Sequence, residues 1–499
     1  MTSSTSSPKR IEKVSSDNIV ISFDLLSNLT YMASLSSARV PRETMLRKAG
    51  ELPVKTAVFF EQVNLLAQRL GLEYTKAPEL VAQKAKAQNI KSLLLRFAST
   101  IASGESEQVF IREESRIEKN RYENEYARSV ENLKKWTDAY AAILVSVTLI
   151  VVVGMVSNMM GSLNQTFVLI IAFVMFTIMA TGVYVILRTS PYEDYTYDGP
   201  GVIPKDRARA RLFLRTLGPL GLIMALAVGI LGGVGLALVV FAVFLFPAGW
   251  YARKDDASIR AMDKEVALFI RSLGAVAGAT RTTLGGALSK LDLRAMGNLA
   301  PFINRLETRL LSQLPSELSW ERFKSESGNE LLRRSTDMLV DGVLAGGRPE
   351  EIGEIASSYA STVSELRETR RLTASTFGFL VIPMHLAMTG LLLFILNIVK
   401  GFNDRLEIVS AELLQQSREI SSLSPQANSF GTFAPQDLTL VTGVIIFVVL
   451  VLTVANALAP KFAAGGNNLM ITWTLSISAL LSGFNMIVVP KVATALLAG

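Results

Sequence analysis

The residues of this 499-residue chain that could carry chemistry are few, and their types exclude most reactions. There is no cysteine, so disulfides and thiolate metal sites are ruled out. One histidine, His385, excludes a histidine-cluster metal site. It lies two residues after Pro383 in a run free of Asp, Glu, Lys and Arg, and none of the apolar runs holds a carboxylate to share a proton with it. Polar packing or an interhelical hydrogen bond is the reading for His385, and Pro383 reads as a kink. Gly285-Gly286-Ala287-Leu288-Ser289-Lys290 has glycine and lysine but lacks the GK[ST] ending and the preceding strand that a phosphate loop needs. The chain is therefore expected to be no enzyme and to hold no cofactor. What remains is cationic: the cluster Lys205, Arg207, Arg209, Arg211 and Arg215, and the turn arginines Arg39, Arg42, Arg281 and Arg348. Such groups can sit beside anionic lipid headgroups, dock an acidic protein surface, or simply be solvated.

The elements that must position these cations are helices of two kinds. Half of the residues are hydrophobic, and they concentrate in uncharged blocks too long for a soluble core. The fold class expected is an all-α polytopic membrane protein with two cytoplasmic helical bundles and about seven transmembrane helices. The divisions are a disordered start at 1–17, a first helical domain at 18–138 and spans 1–2 at 139–187 with a turn at 157–165. A basic connector follows at 188–215, then 216–252, a second helical domain at 253–371, span 5 at 372–399, an outer loop at 400–437 and spans 6–7 at 438–499. Block 216–252 could be one long helix, but Pro219, Pro247 and Gly232-Gly233 favour a hairpin of two short spans. In 402–420, Leu406, Val409, Leu413 and Ile420 separated by charges predict an amphipathic helix. It is expected to pack on the outer membrane face, on a dimer partner or against subunits of a larger assembly.

Basic residues outnumber acidic ones in 1–138, 188–215 and 253–371, whereas acidic residues prevail in 400–437. By the positive-inside rule both helical domains and the N-terminus face the cytoplasm and the C-terminus faces outward. The net charge of +7 fits loops facing anionic lipid and does not call for nucleic acid. No charged stretch followed by an apolar core opens the chain, so no cleaved signal peptide is expected.

An internal repeat gives the sharpest signal. Leu93-Leu94-Leu95-Arg96…Ile101-Ala102-Ser103-Gly104-Glu105 precedes a charged helix and a span, and so does Leu331-Leu332-Arg333-Arg334…Leu344-Ala345-Gly346-Gly347-Arg348. Upstream, Met32–Leu46 with Ser37-Ala38-Arg39-Val40-Pro41 has a looser counterpart in Leu273–Leu288 with Gly278-Ala279-Thr280-Arg281-Thr282. An interval of roughly 240 residues indicates domain duplication, since solenoid periods are far shorter.

At these residues the chain resembles the platform proteins of type IV pilus-like machines, which carry the domain named after the F component of type II secretion systems. Two such domains with seven spans look most like the archaellum (archaeal flagellum) platform and its archaeal pilus relatives. Ser37-Ala38 stands where the family usually has glycine. The resemblance implies a homodimeric platform in the cytoplasmic membrane that couples a cytosolic hexameric ATPase to insertion of pilin- or archaellin-like subunits, and to rotation in archaella. It would make Arg39, Arg42, Lys205, Arg207, Arg209, Arg211, Arg281 and Arg348 candidates for gripping the ATPase. A rival from another class is a permease powered by a separate ATPase. Such a protein should show inverted repeats and broken mid-membrane helices, whereas the repeat here is direct and the spans lack charge.

Overall fold

The structure is a computed structural model and describes residues 18–159, 165–200, 202–420 and 438–498. The expected disordered start at 1–17, most of the turn at 157–165 and the loop residues 421–437 lie outside the described residues. Within them every element is a helix, accompanied by two isolated β-bridges. In order these are α1 (Asn18–Ser36), α2 (Arg42–Glu51), α3 (Ala57–Leu70), α4 (Lys76–Lys84), α5 (Gln88–Ser103), α6 (Glu107–Met159), α7 (Gln165–Thr189) and α8 (Lys205–Gly232). They continue with α9 (Val234–Thr280), α10 (Leu284–Leu288), α11 (Ala300–Leu311), α12 (Ser316–Ser327), α13 (Glu330–Leu344), α14 (Pro349–Ile420), α15 (Thr439–Ala464) and α16 (Met470–Ala498). Seven of them (α6–α9 and α14–α16) are long and apolar enough to cross a membrane. The all-α polytopic class is thereby borne out.

The chain divides into two compact units. The first holds α1–α5, the start of α6, residues 191–203, the end of α9, α10–α13 and the start of α14. The second holds the apolar parts of α6, α9 and α14 together with α7, α8, α15 and α16. Thus α6, α9 and α14 each carry a charged stretch and an apolar stretch in one unbroken helix.

The first unit is a duplication visible in its backbone. Three left-handed turn residues in the first half, Arg39, Gly71 and Gly104, have left-handed counterparts in the second, Arg281, Gln313 and Gly346, while Gly328 adds one that is not repeated. In every pair the second residue number exceeds the first by 242. Six helical segments, α1–α6 and α9–α14, therefore repeat with their turns in register. Helix starts follow local chemistry. Pro41 precedes α2, Pro349-Glu350-Glu351 opens α14 with acidic groups at the positive helix end, and the Asn329 side chain caps α13 by accepting from the Leu332 N–H at 3.0 Å. Each half has an apolar centre: Leu46, Val63, Leu94 and Phe97 in the first, Phe269, Leu273, Ile303, Leu306 and Phe323 in the second, all 3% exposed or less.

The halves meet along a polar seam. Helix α1 is buried on every face from Ile21 to Ser36, although that stretch includes Asp24, Asn28 and five hydroxyl residues besides its tyrosine. Tyr31 donates to Asp341 of α13 at 2.6 Å, and Asn28 donates to the Ala49 carbonyl at 3.2 Å. Helices α6 and α14 run side by side in one register, through the pair Arg112–Glu351, Lys119 to Ser358 at 3.2 Å and Thr362 to Glu123 at 3.4 Å.

In the second unit α8 and α9 fold back on each other at Gly233, whose φ is +86°. A Cβ on Gly229 would meet Ala237, one on Gly221 would strike Phe244, and Phe213 stacks on Tyr251. Block 216–252 is thus a hairpin of two helices. His385 sits among α6, α14, α15 and α16. Its Nδ1 lies 3.1 Å from the Asn456 amide nitrogen, so Nε2 carries the proton and faces Ser482 Oγ at 2.8 Å and the Ser478 carbonyl at 3.2 Å. Tyr140 donates to Asn456 Oδ1 at 3.0 Å and completes a four-helix polar tie. That is the polar packing expected of His385.

The segment 402–420 is helical as expected, and it continues α14, which runs unbroken for 72 residues. The physical reason is the lack of a stop signal: Gly401 costs only about 1 kcal/mol inside a helix, and no proline follows before Ile420.

Candidate functional site

Two left-handed arginines define one end of the first unit. Arg39 follows α1 with φ +53° and Arg281 follows α9 with φ +50°. Such backbone costs a non-glycine residue about 1–2 kcal/mol, so the fold keeps each arginine at a position where glycine would be cheaper. Their turns close through Arg39 N–H to the Ser36 carbonyl at 3.0 Å and Thr282 N–H to the Ala277 carbonyl at 3.2 Å. The α13–α14 turn brings a third cation to the same end. A Cβ on Gly347 would lie 3.2 Å from Ala38, and one on Gly278 would strike Glu350. Arg348 reaches Glu350 at 3.0 Å with its side chain 72% exposed. Beside it stands Leu344, 73% exposed. Exposed Arg39, Arg281 and Arg348, with exposed Leu344, lie on these neighbouring turns and form a small cationic, partly apolar tip.

The other candidates separate. Arg42 is occupied by Glu107 and lies 5.2 Å from the Tyr74 ring centre. Lys205, Arg207, Arg209 and Arg211 occupy the first turns of α8 in the second unit. Lys205 and Arg209 are exposed, and Arg209 rests 5.5 Å from the Tyr251 ring centre. Arg211 is half-buried. Arg207 corrects the picture of a row of surface cations. It is fully buried and 3.1 Å from Asp255, because the α8–α9 hairpin presses the two helices together there. Asn467 donates to the same carboxylate at 2.8 Å. Arg207 therefore ties α8 and α9 to the α15–α16 loop and offers no docking charge.

Sequence reasoning missed a strap. Within the connector, Pro191–Ile203 folds with the first unit. Thr196 pairs as a β-bridge with Asn329, and Tyr197 N–H donates to the Gly328 carbonyl at 2.9 Å. Glu193 takes a hydrogen bond from Tyr126 on α6 and faces Arg367 of α14 at 3.2 Å. Arg367 also holds Asp263 at 2.9 Å and stacks 4.2 Å from the Tyr195 ring centre. Asp194 meets Arg334 at 3.1 Å, which also holds Glu330 at 2.7 Å and Asp24 of α1 at 3.4 Å. Both repeats thus grip one strap. The available signal was Tyr192-Glu193-Asp194-Tyr195-Thr196-Tyr197 in a connector, together with the arginines Arg333, Arg334 and Arg367.

Electrostatics in this cluster decide which charges persist. Burial alone would raise the Glu330 carboxyl, but Arg333 and Arg334 outweigh it and hold it below its ordinary range. Burial pulls the Lys324 ammonium down, while Asp337 and Glu321 more than offset this and keep it above its ordinary value. Asp24 goes the other way, raised by burial against the opposing pull of Arg334. Among the described residues no group of three or more His, Cys, Asp or Glu could hold a metal ion.

No protein-family model matches the chain, and no solved structure does. Among curated proteins it is similar to flagella accessory protein J of Methanocaldococcus jannaschii, 23% identical over 398 residues, which cover 75% of this chain and 69% of that protein. Together with the seven apolar helices, that match bears out the resemblance drawn from the repeat: the chain is a homologue of flagella accessory protein J.

Proposed function

We propose that the chain is the membrane platform of an archaellum or a related archaeal type IV pilus-like machine, passing the motion of a cytosolic hexameric ATPase to the assembly of filament subunits. The observation that carries this is the duplicated helical body whose repeats both continue, through α6 and α14, into apolar helices. A continuous helix transmits displacement without a joint, and two parallel ones in fixed register transmit it together. The similarity to a flagella accessory protein supports the filament context. In this reading the role is non-enzymatic, both repeats face the cytoplasm, the C-terminus faces outward and the platform works as a homodimer. The tip of Arg39, Arg281 and Arg348 is the ATPase-facing surface, and the archaellum version includes rotation.

The test is affinity capture of the tagged chain from detergent-solubilised membranes with mass spectrometry of what co-purifies. A hexameric secretion-type ATPase with archaellin- or pilin-like subunits is the expected result. A solute-binding protein with a transport-type ATPase would contradict it.

A further inference from the structure

We propose that the contact between α9 and α16 is a binding site for an anionic phospholipid, with Arg253 as its phosphate ligand. Arg253 is exposed, and its guanidinium lies 4.7 Å from the centre of the Trp473 ring. No carboxylate among the described residues lies within ion-pair distance of it. Below the cation three rings form one surface. Trp250 is 6.1 Å from Trp473, and Phe246 is 5.5 Å from Trp473 and 6.2 Å from Trp250. Trp250 remains 52% exposed and Phe246 44%.

The surface continues along both helices. On α9, Val243 stands seven residues before Trp250, and on α16, Leu480 and Phe484 stand seven and eleven after Trp473; all three are exposed. Spacings of three, four and seven keep residues on one helix face. Glycines hold the two helices in contact. A Cβ on Gly249 would strike the Trp473 backbone, one on Gly235 would strike Met486, and one on Gly483 would meet the Gly235 carbonyl. The rings therefore rest on a fixed helix pair.

A cation on tryptophan, followed by rings and then by an aliphatic corridor, matches a phosphate headgroup followed by an acyl or isoprenoid chain. Cation–π contact with tryptophan is the strongest of its kind, and it leaves the guanidinium N–H groups at the ring edge free to meet phosphate oxygens. An acidic protein surface would satisfy Arg253 but not the exposed rings and aliphatic side chains that flank it. The occupant is thus an anionic membrane lipid. This inference stands apart from the platform reading.

The test uses the full chain reconstituted in phosphatidylcholine vesicles containing either dibrominated phosphatidylglycerol or phosphatidylcholine brominated on the same chain. Bromine quenches nearby tryptophan fluorescence, and the double variant W250F/W473F supplies the background from Trp136 and Trp320. Brominated phosphatidylglycerol is expected to quench at about fivefold lower mole fraction than brominated phosphatidylcholine, and R253Q is expected to erase that preference while R253K keeps part of it. Because Arg253 is exposed, R253Q leaves the helix packing intact; equal quenching of R253Q and wild type by brominated phosphatidylcholine verifies this. Equal quenching of the wild type by the two lipids, or an undiminished preference in R253Q, would overturn the assignment. Relief of the preference by millimolar inorganic phosphate would also overturn it, because it would make the site one for the free ion. So would an R253Q variant that loses a cytosolic protein partner and keeps its lipid preference.

Discussion

Arg39 and Arg281 show how one residue can be given two separable jobs. Each pays for a left-handed backbone and presents a charge, so replacement by glycine removes the charge and relieves the backbone at once. R39G and R281G are expected to leave thermal stability unchanged or raise it by about 1 kcal/mol, read as an unfolding midpoint in detergent. Glu330 offers a second test at this scale. Its folded carboxyl lies below its ordinary 4.5 because Arg333 and Arg334 outweigh burial. Its contribution is therefore present above pH 4.5 and lost as the pH falls through the depressed folded value. E330Q is expected to cost about 3–5 kcal/mol near neutral pH, where it leaves two buried guanidiniums short of an anion, and to flatten the acid limb of the stability profile. An acid limb unchanged in E330Q would contradict the assignment. The arginines at the turns were legible in the sequence because proline, glycine and small residues mark turns. The burial of Arg207 was not, since its partner Asp255 is 48 residues away and only the α8–α9 hairpin brings them together.

At the scale of elements, the strap and the long helices divide the work. Residues 191–203 join Tyr126 of the first repeat to Arg334 and Arg367 of the second, so removing one arginine leaves buried acids without their cation. R367M strands Glu193 and Asp263 and is expected to cost about 3–5 kcal/mol. Its mark is regional: hydrogen exchange should rise in 191–203 and in α13, and stay unchanged in α15. Uniform exchange across the chain would deny the strap its role. Helix periodicity revealed most elements because apolar residues recur at three and four. It did not reveal the central position of α1, because from Ile21 to Ser36 that helix is buried on all faces and so has no polar stripe to set against an apolar one. The strap was hidden for a related reason: a connector of tyrosines and acids reads as solvated until its buried arginine partners are known. The unbroken run of α14 to Ile420 was likewise lost, since a change from apolar to charged composition looks like a boundary while the backbone has no reason to stop.

At the scale of the whole molecule, duplication is the governing fact. The same turns recur 242 residues apart, and both repeats lie in one compact unit. The platform reading requires an even number of crossings between them, which the two helices α8 and α9 would supply and a single long helix would not. The absence of cysteine makes this directly measurable. Single cysteines at Arg39, Arg281 and Asp404 should react with an impermeant maleimide from the cytoplasmic side for the first two and from the outside for the third. Labelling of Arg39 and Arg281 from opposite sides would end the platform reading.

The most direct test of the central claim is quantitative capture of the co-purifying hexameric ATPase by the wild type and by R39G/R281G/R348G, with filament subunits measured in the same eluate. The account predicts at least a tenfold loss of ATPase, about 1.4 kcal/mol or more, with stability and subunit recovery retained. Undiminished ATPase capture by the folded triple variant would contradict it.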